Sequence, residues 1–228
     1  MKNLRNAFLG LGLAGTAVLA QASPILLNFE GIADSASVAD FYNGVGGPNY
    51  GVSFSSAQAL VDSDAGGTGS IANAPSPSTV VFFLDNNDSF LNYAAGFTTS
   101  VSFFYSSVVQ ATVNVYTGLN GGGTLLGSIA LIDQYDQLCN ANQGVFCNFT
   151  LASLSFAGTA RSIDFGDTIN QALFDDITLN ADALPPGNGG GNNKVPEPHT
   201  LALMGLALAG MGAVRRRKPA ADRVEPIS

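Results

Sequence analysis

Ala111-Thr-Val-Asn-Val-Tyr116 alternates apolar and polar side chains without a break. Successive side chains on an extended chain point to opposite faces, so Val113 and Val115 are expected to face a core while Thr112 and Asn114 face water. The same β-rich texture continues on both sides of this stretch. Strands are expected at Ile25–Phe29, Tyr50–Ser55, Thr79–Leu84, Tyr93–Phe97, Val101–Tyr105, Leu125–Leu131, Asn148–Phe156, Ala160–Phe165 and Phe174–Leu179. Gly, Asn, Ser and Pro clusters separate them, and no segment sustains a 3.6-residue apolar period, so helices should be few. About ten short strands pack most simply as an all-β, antiparallel two-sheet sandwich of jelly-roll type.

The composition agrees. With 228 residues, 46% of them hydrophobic and 11% charged, the chain is too apolar for disorder and long enough for one sizeable core. Its 27 glycines and lack of tryptophan argue against a helical bundle. His199 is the single histidine, which removes serine triads and multi-histidine metal sites. Between Ser23 and Lys194 there are 14 acidic residues and two basic ones, Arg161 and Lys194. Such a body repels phosphate backbones, so no nucleic-acid partner is expected, whereas divalent cations suit it. The plainer reading is that the acids keep an extracellular β-protein soluble.

The two ends read as targeting segments. Lys2 and Arg5 precede an apolar run from Ala7 to Leu19, and Ala20-Gln21-Ala22 supplies an A-x-A cleavage site, so residues 1–22 are a secretory signal peptide. As an uncleaved helix that run would reach only roughly 20 Å. The folded domain is then 23–182. Residues 183–194 form a Pro/Gly/Asn-rich tether that cannot fold. Pro196-Glu197-Pro198 follows, then an apolar, helix-compatible span from Thr200 to Val214, then Arg215-Arg216-Arg217-Lys218, with 219–228 as an extension. A helix of that span reaches roughly 22 Å, short of the hydrocarbon layer, which suits a temporary anchor with its basic end on the cytoplasmic side.

The ordered tail of short motif, hydrophobic span and basic cluster, over 195–218, resembles the PEP-CTERM sorting signal of Gram-negative bacteria. An ordinary C-terminal membrane anchor is the competing reading. The resemblance implies secretion across the inner membrane, transient anchoring there by a short transmembrane helix, processing by an exosortase, and delivery to the cell surface or extracellular matrix, often in organisms that make exopolysaccharide. The ten residues beyond Lys218 depart from the pattern without breaking it.

Asn28-Phe29-Glu30-Gly31 and Phe174-Asp175-Asp176-Ile177-Thr178-Leu179 resemble the first and last strands of galactose-binding-type or carbohydrate-binding-module sandwiches. That likeness implies that the two strands lie together and that Glu30, Asp175 and Asp176 hold a structural calcium. From the residues alone, one of two adjacent aspartates must face inward unless a bulge turns the strand, and a buried carboxylate needs a cation or several hydrogen bonds. Hydrogen bonds without metal satisfy the same requirement. Asp62-Ser63-Asp64 and Asp85-Asn86-Asn87-Asp88 are secondary candidates that equally read as self-capping turns, and the first lacks the glutamate of an EF-hand.

Cys139 and Cys147 enclose a short polar loop in an exported chain, and a disulfide is expected. A metal or redox pair would need other spacing or a histidine. For sugar contact, aromatic faces and amides converge in Tyr42-Asn43-Gly44 and Pro48-Asn49-Tyr50, so Tyr42, Asn43, Asn49 and Tyr50 are candidates; the same tyrosines could be packing caps. Nucleophile-elbow and P-loop patterns are missing, and Asn120-Gly121-Gly122-Gly123 reads as a turn. The expectation is an exported, non-enzymatic surface or matrix protein, structural or adhesive in exopolysaccharide. The alternatives are a calcium-supported lectin-like module and, last, a secreted glycan-active enzyme.

Overall fold

A computed structural model of the chain describes residues 23–134 and 146–181. The signal peptide, the linker, the sorting segment with Pro196, Glu197, Pro198 and Arg215, Arg216, Arg217, Lys218, the expected membrane span, and Cys139 all lie outside the described residues. Among the described residues no helix is long and apolar enough to cross a membrane.

Among the described residues eleven strands follow one another: β1 (Ile25–Leu27), β2 (Val52–Phe54), β3 (Ala57–Val61), β4 (Thr79–Phe83), β5 (Phe90–Phe97), β6 (Ser100–Ser107), β7 (Ala111–Tyr116), β8 (Leu125–Leu131), β9 (Thr150–Ser155), β10 (Ala160–Asp164) and β11 (Ala172–Leu179). They form two antiparallel sheets. The first runs β3-β4-β11-β6-β9, with β1 also on β11; the second runs β2-β5-β10-β7-β8. From β4 to β7 and from β8 to β11 the chain crosses from one sheet to the other at each step, so both sheets must close over a shared core. The expected antiparallel sandwich is therefore the observed fold.

Strand β7 has the anticipated alternation, with Val113 and Val115 buried and Thr112 and Asn114 part-exposed. Between the sheets, Phe83 stacks on Phe165 at 4.4 Å, and Phe174 meets Phe165 and Phe103 edge-on at 4.8 and 5.4 Å. Such aromatic pairs add roughly 0.5–1.5 kcal/mol each beyond the area that they bury. A satellite cluster of Ile71, Val80 and Leu173 lies apart from this core, with Phe146 and Phe149 packed on it.

Strand β3 is a correction to the sequence reading, because Ala57-Gln-Ala-Leu-Val61 has little β-branched or aromatic character. Pairing settles it: Ala57 to Val61 lie opposite Phe83 to Thr79 in unbroken register. Strand β1 ends at Leu27 rather than Phe29, since Phe29 turns to φ 61° and leaves extended geometry.

Candidate functional site

The first and last strands do lie together. Ile25, Leu26 and Leu27 pair with Leu179, Thr178 and Ile177, which brings Glu30 to the same end of the sandwich as Asp175 and Asp176. The register between β11 and β6 shifts between Asp175 and Thr178, and Asp176 sits at φ 49°. This bulge resolves the problem of adjacent aspartates: Asp175 is fully buried on the outer side of its sheet and Asp176 is half-buried.

Ser76-Pro77-Ser78-Thr79 ties the acids together. The Ser76 N–H donates to Asp175 Oδ2 at 2.9 Å, and the Asp176 N–H donates to Asp175 Oδ1 at 2.7 Å. Glu30 Oε1 accepts from the Ser78 and Thr79 N–H groups at 3.0 and 2.8 Å, while Oε2 accepts from the Ser78 hydroxyl at 2.8 Å. Around Ser76 Oγ stand four acceptors: Asp175 Oδ1 and Oδ2 at 2.8 and 2.9 Å, Asn28 O at 3.1 Å and Glu30 Oε1 at 3.3 Å. One hydroxyl carries one proton, so this oxygen set has more acceptors than that hydroxyl can serve.

Electrostatics follow the geometry. Burial pushes the Asp175 carboxyl up to about 6 despite its donors, and the nearby Asp176 charge adds to the rise. Asp176 is raised by burial first and by the Glu30 charge second. Burial would raise Glu30 too, but the N–H groups of Ser78 and Thr79 and the hydroxyls of Ser78 and Ser76 together hold it below its ordinary range. Among the described residues no base offsets the cluster: Arg161, the sole Lys or Arg there, hydrogen-bonds the carbonyls of Ala94 and Thr117. Among the described residues no three His, Cys, Asp or Glu side chains already form a metal cage. The donor set itself, carboxylates with a backbone carbonyl and a hydroxyl, is of the hard-oxygen kind that suits calcium.

Beside the acids lies a cleft of about 360 Å³ whose lining includes Leu26, Asn28, Glu30, Tyr42, Pro48 and Tyr50. The loop from Asp40 to Tyr50 builds one wall and closes on itself through an Asn43–Asn49 bridge and a Tyr50 N–H to Tyr42 O bond of 2.8 Å. Gly47 packs closely there, since a Cβ would sit 2.5 Å from the Phe41 ring and push it aside. Tyr42 is corrected from sugar contact to support: it is 2% exposed, and its ring lies under Tyr50 at 6.1 Å and 12°. Tyr50 keeps 43% exposure, and Asn43 and Asn49 are also exposed.

The remaining candidates separate from this site. Asp62 caps its own turn through the Asp64 N–H, and Asp85 does the same through Asn87. Cys147 is 3% exposed and its expected partner lies outside the described residues, so the disulfide stays an expectation. Sequence reasoning missed Ser76, Ser78 and Thr79, and nothing local marks them: Ser76 meets Asp175 across 99 positions.

Comparison with known proteins identifies the tail. The PEP-CTERM protein-sorting motif matches residues 194–218, so the chain carries a sorting signal for exosortase processing and is an exported protein. No curated protein sequence matches the chain. Similar solved structures include carbohydrate-binding modules and parts of larger enzymes, among them the catalytic domain of a GH87 alpha-1,3-glucanase. A β-1,3-glucan-binding CBM6 from Bacillus halodurans shares 12% identity over 57% of this chain and 89% of that one, with a TM-score of 0.37. A CBM6 module of Cellvibrio mixtus lichenase 5A, solved with cellotriose, shares 16% over 57% and 89%, with a TM-score of 0.35. CsCBM6-3 from Clostridium stercorarium, solved with cellobiose, shares 17% over 69% and 88%, with a TM-score of 0.29.

Proposed function

We propose that this exported chain is a non-enzymatic adhesive module of the extracellular polysaccharide, and that it holds a glycan in the Tyr50 cleft. The observation that carries this reading is the half-exposed Tyr50 ring, stacked on buried Tyr42 at the edge of the cleft. A ring fixed from below offers its open face to a sugar without first being ordered, and Asn28 and Glu30 stand beside it as hydroxyl partners. The volume falls in the usual range for small-ligand sites.

Support for a binding rather than a hydrolytic role comes from the carboxyls. Glycoside hydrolysis uses two, and among the described residues that line this cleft Glu30 is the one carboxylate, with both its oxygens already accepting hydrogen bonds. Calcium is part of the proposal as a structural ion. Glu30, Asp175, Asn28 O and Ser76 would hold it with Asp176 nearby, and it would supply the positive charge that the buried acids lack.

The test is calorimetric titration of the purified exported protein with the host's own polysaccharide and with neutral oligosaccharides. Saturable binding that Tyr50→Ala weakens by tenfold or more is expected. No heat from any of these glycans, or binding indifferent to Tyr50→Ala, would overturn the assignment, and release of reducing ends would overturn the non-enzymatic part.

A further inference from the structure

A sugar polymer can arrive neutral, anionic or cationic, and the cleft beside Tyr50 is not indifferent to which. Among the described residues its lining carries one charged side chain, Glu30, and no base. Burial would raise the Glu30 pKa, but the donors on Ser78, Thr79 and Ser76 outweigh burial, so the carboxyl is ionised at neutral pH. Oε1 accepts from the Ser78 and Thr79 N–H groups and meets Ser76 Oγ, whereas among the described residues Oε2 accepts from the Ser78 hydroxyl alone. A carboxylate oxygen has two lone pairs, so Oε2 keeps room for one more donor.

Behind Glu30 the charge mounts instead of cancelling. Asp175 shares the Ser76 hydroxyl with it, and Asp176 follows in the chain. Arg161 is engaged with the carbonyls of Ala94 and Thr117, and Arg215, Arg216, Arg217 and Lys218 come only after the tether. With 14 acids against two bases between Ser23 and Lys194, the body draws polycations and repels polyanions before any contact is made.

The aromatic wall points the same way. Tyr50 keeps an exposed face over buried Tyr42. The face of a ring is the negative side of its quadrupole, so it attracts an ammonium as well as the apolar side of a sugar. Glu30 and Tyr50 line one cleft of about 360 Å³, and a short stretch of glycan meets both.

Resting on the glycan reading of this cleft, we propose that its preferred ligand is a polymer of amino sugars with free amines, whose ammonium pairs with Glu30 Oε2 while the sugar ring lies on Tyr50. An N-acetylated polymer offers the ring without the charge and binds more weakly. A uronate polymer sets its carboxylates against Glu30 and is turned away.

Calorimetric titration of the purified exported protein with glucosamine oligomers of one length, fully N-acetylated or fully de-N-acetylated, tests this in chelator at a pH where the amines are protonated. The free-amine form should bind roughly tenfold tighter or more. About 1 M salt, where the screening length is about 3 Å, should remove most of that preference. Glu30→Gln should reduce it severalfold, and Asp64→Asn, outside the cleft, should not. The salt arm needs no variant, so it decides the matter where Glu30→Gln fails to fold. Binding of neither form overturns the glycan reading and this inference with it. Equal affinities, tighter binding of the N-acetylated form, or a preference that survives high salt overturns the amino-sugar assignment alone. So does a lysine oligomer that binds as tightly as the free-amine sugar, since charge by itself would then be what the cleft reads.

Discussion

The Tyr42 hydroxyl accepts a hydrogen bond from the Phe29 backbone N–H at 2.6 Å, which pins the cleft floor to the chain segment that carries Glu30. Burial pushes that hydroxyl above its ordinary range, so it stays protonated. Tyr42→Phe keeps the ring under Tyr50 but leaves the buried Phe29 N–H without its acceptor. A loss of about 1–3 kcal/mol of stability is expected in chemical denaturation, with glycan binding kept at temperatures where the variant is folded. Unchanged stability would mean that the N–H finds another partner.

The crowding of acceptors around Ser76 gives a second prediction. A cation that binds only the folded state stabilises it by mass action, so the protein should melt several degrees higher in millimolar calcium than in chelator. Ser76→Ala removes the hydroxyl shared by Asp175, Glu30 and Asn28, and should lower stability in both conditions by about 1–3 kcal/mol. Equal melting temperatures with and without calcium would remove the ion from the account.

Much of the scaffold was legible because it rests on local pattern. Val113 and Val115 alternate with Thr112 and Asn114, and that period survives in the structure. That Glu30 comes to the same end as Asp175 was implied only by the resemblance to carbohydrate-binding sandwiches, since nothing local in the sequence says that the first and last strands pair. Strand β3 was not legible, since its alanines gain strand character only from β4. Ser76 was silent for a similar reason: a serine two residues before a strand says nothing about a carboxylate 99 positions away. Tyr42 and Tyr50 read alike in sequence, and only the fold of their loop makes one a floor and the other a face.

Asp34 supplies a pH test away from the acid cluster. Its carboxylate accepts from the Val61 N–H at 2.9 Å and from the Thr68 hydroxyl at 2.8 Å, and these bonds lower its pKa. A depressed carboxyl contributes stability above its unfolded value and loses it as pH falls through the lower folded value. Asp34→Ala should therefore melt below wild type at neutral pH, with the gap closing below about pH 4. A gap that stays constant into acid would show that the clamp does not depend on the charge.

Export can be checked at the ends of the mature chain. Mass spectrometry of protein recovered separately from membranes and from culture matrix should find a start at Ser23 and an end near Pro196 to Pro198. An intact Arg215 to Ser228 end, found in membranes alone, would mean a tethered protein and would remove the matrix role.

The isolation of Arg161 bears on survival outside the cell. Proteases that cut after lysine or arginine meet a single target between Ser23 and Lys194, and the guanidinium of that target is held against the carbonyls of Ala94 and Thr117. Every other such target lies before Ser23, at Lys194 or beyond it. Digestion of this kind would cut the processed chain at Lys194 in the tether and spare the sandwich, so the folded domain can be set free without being broken.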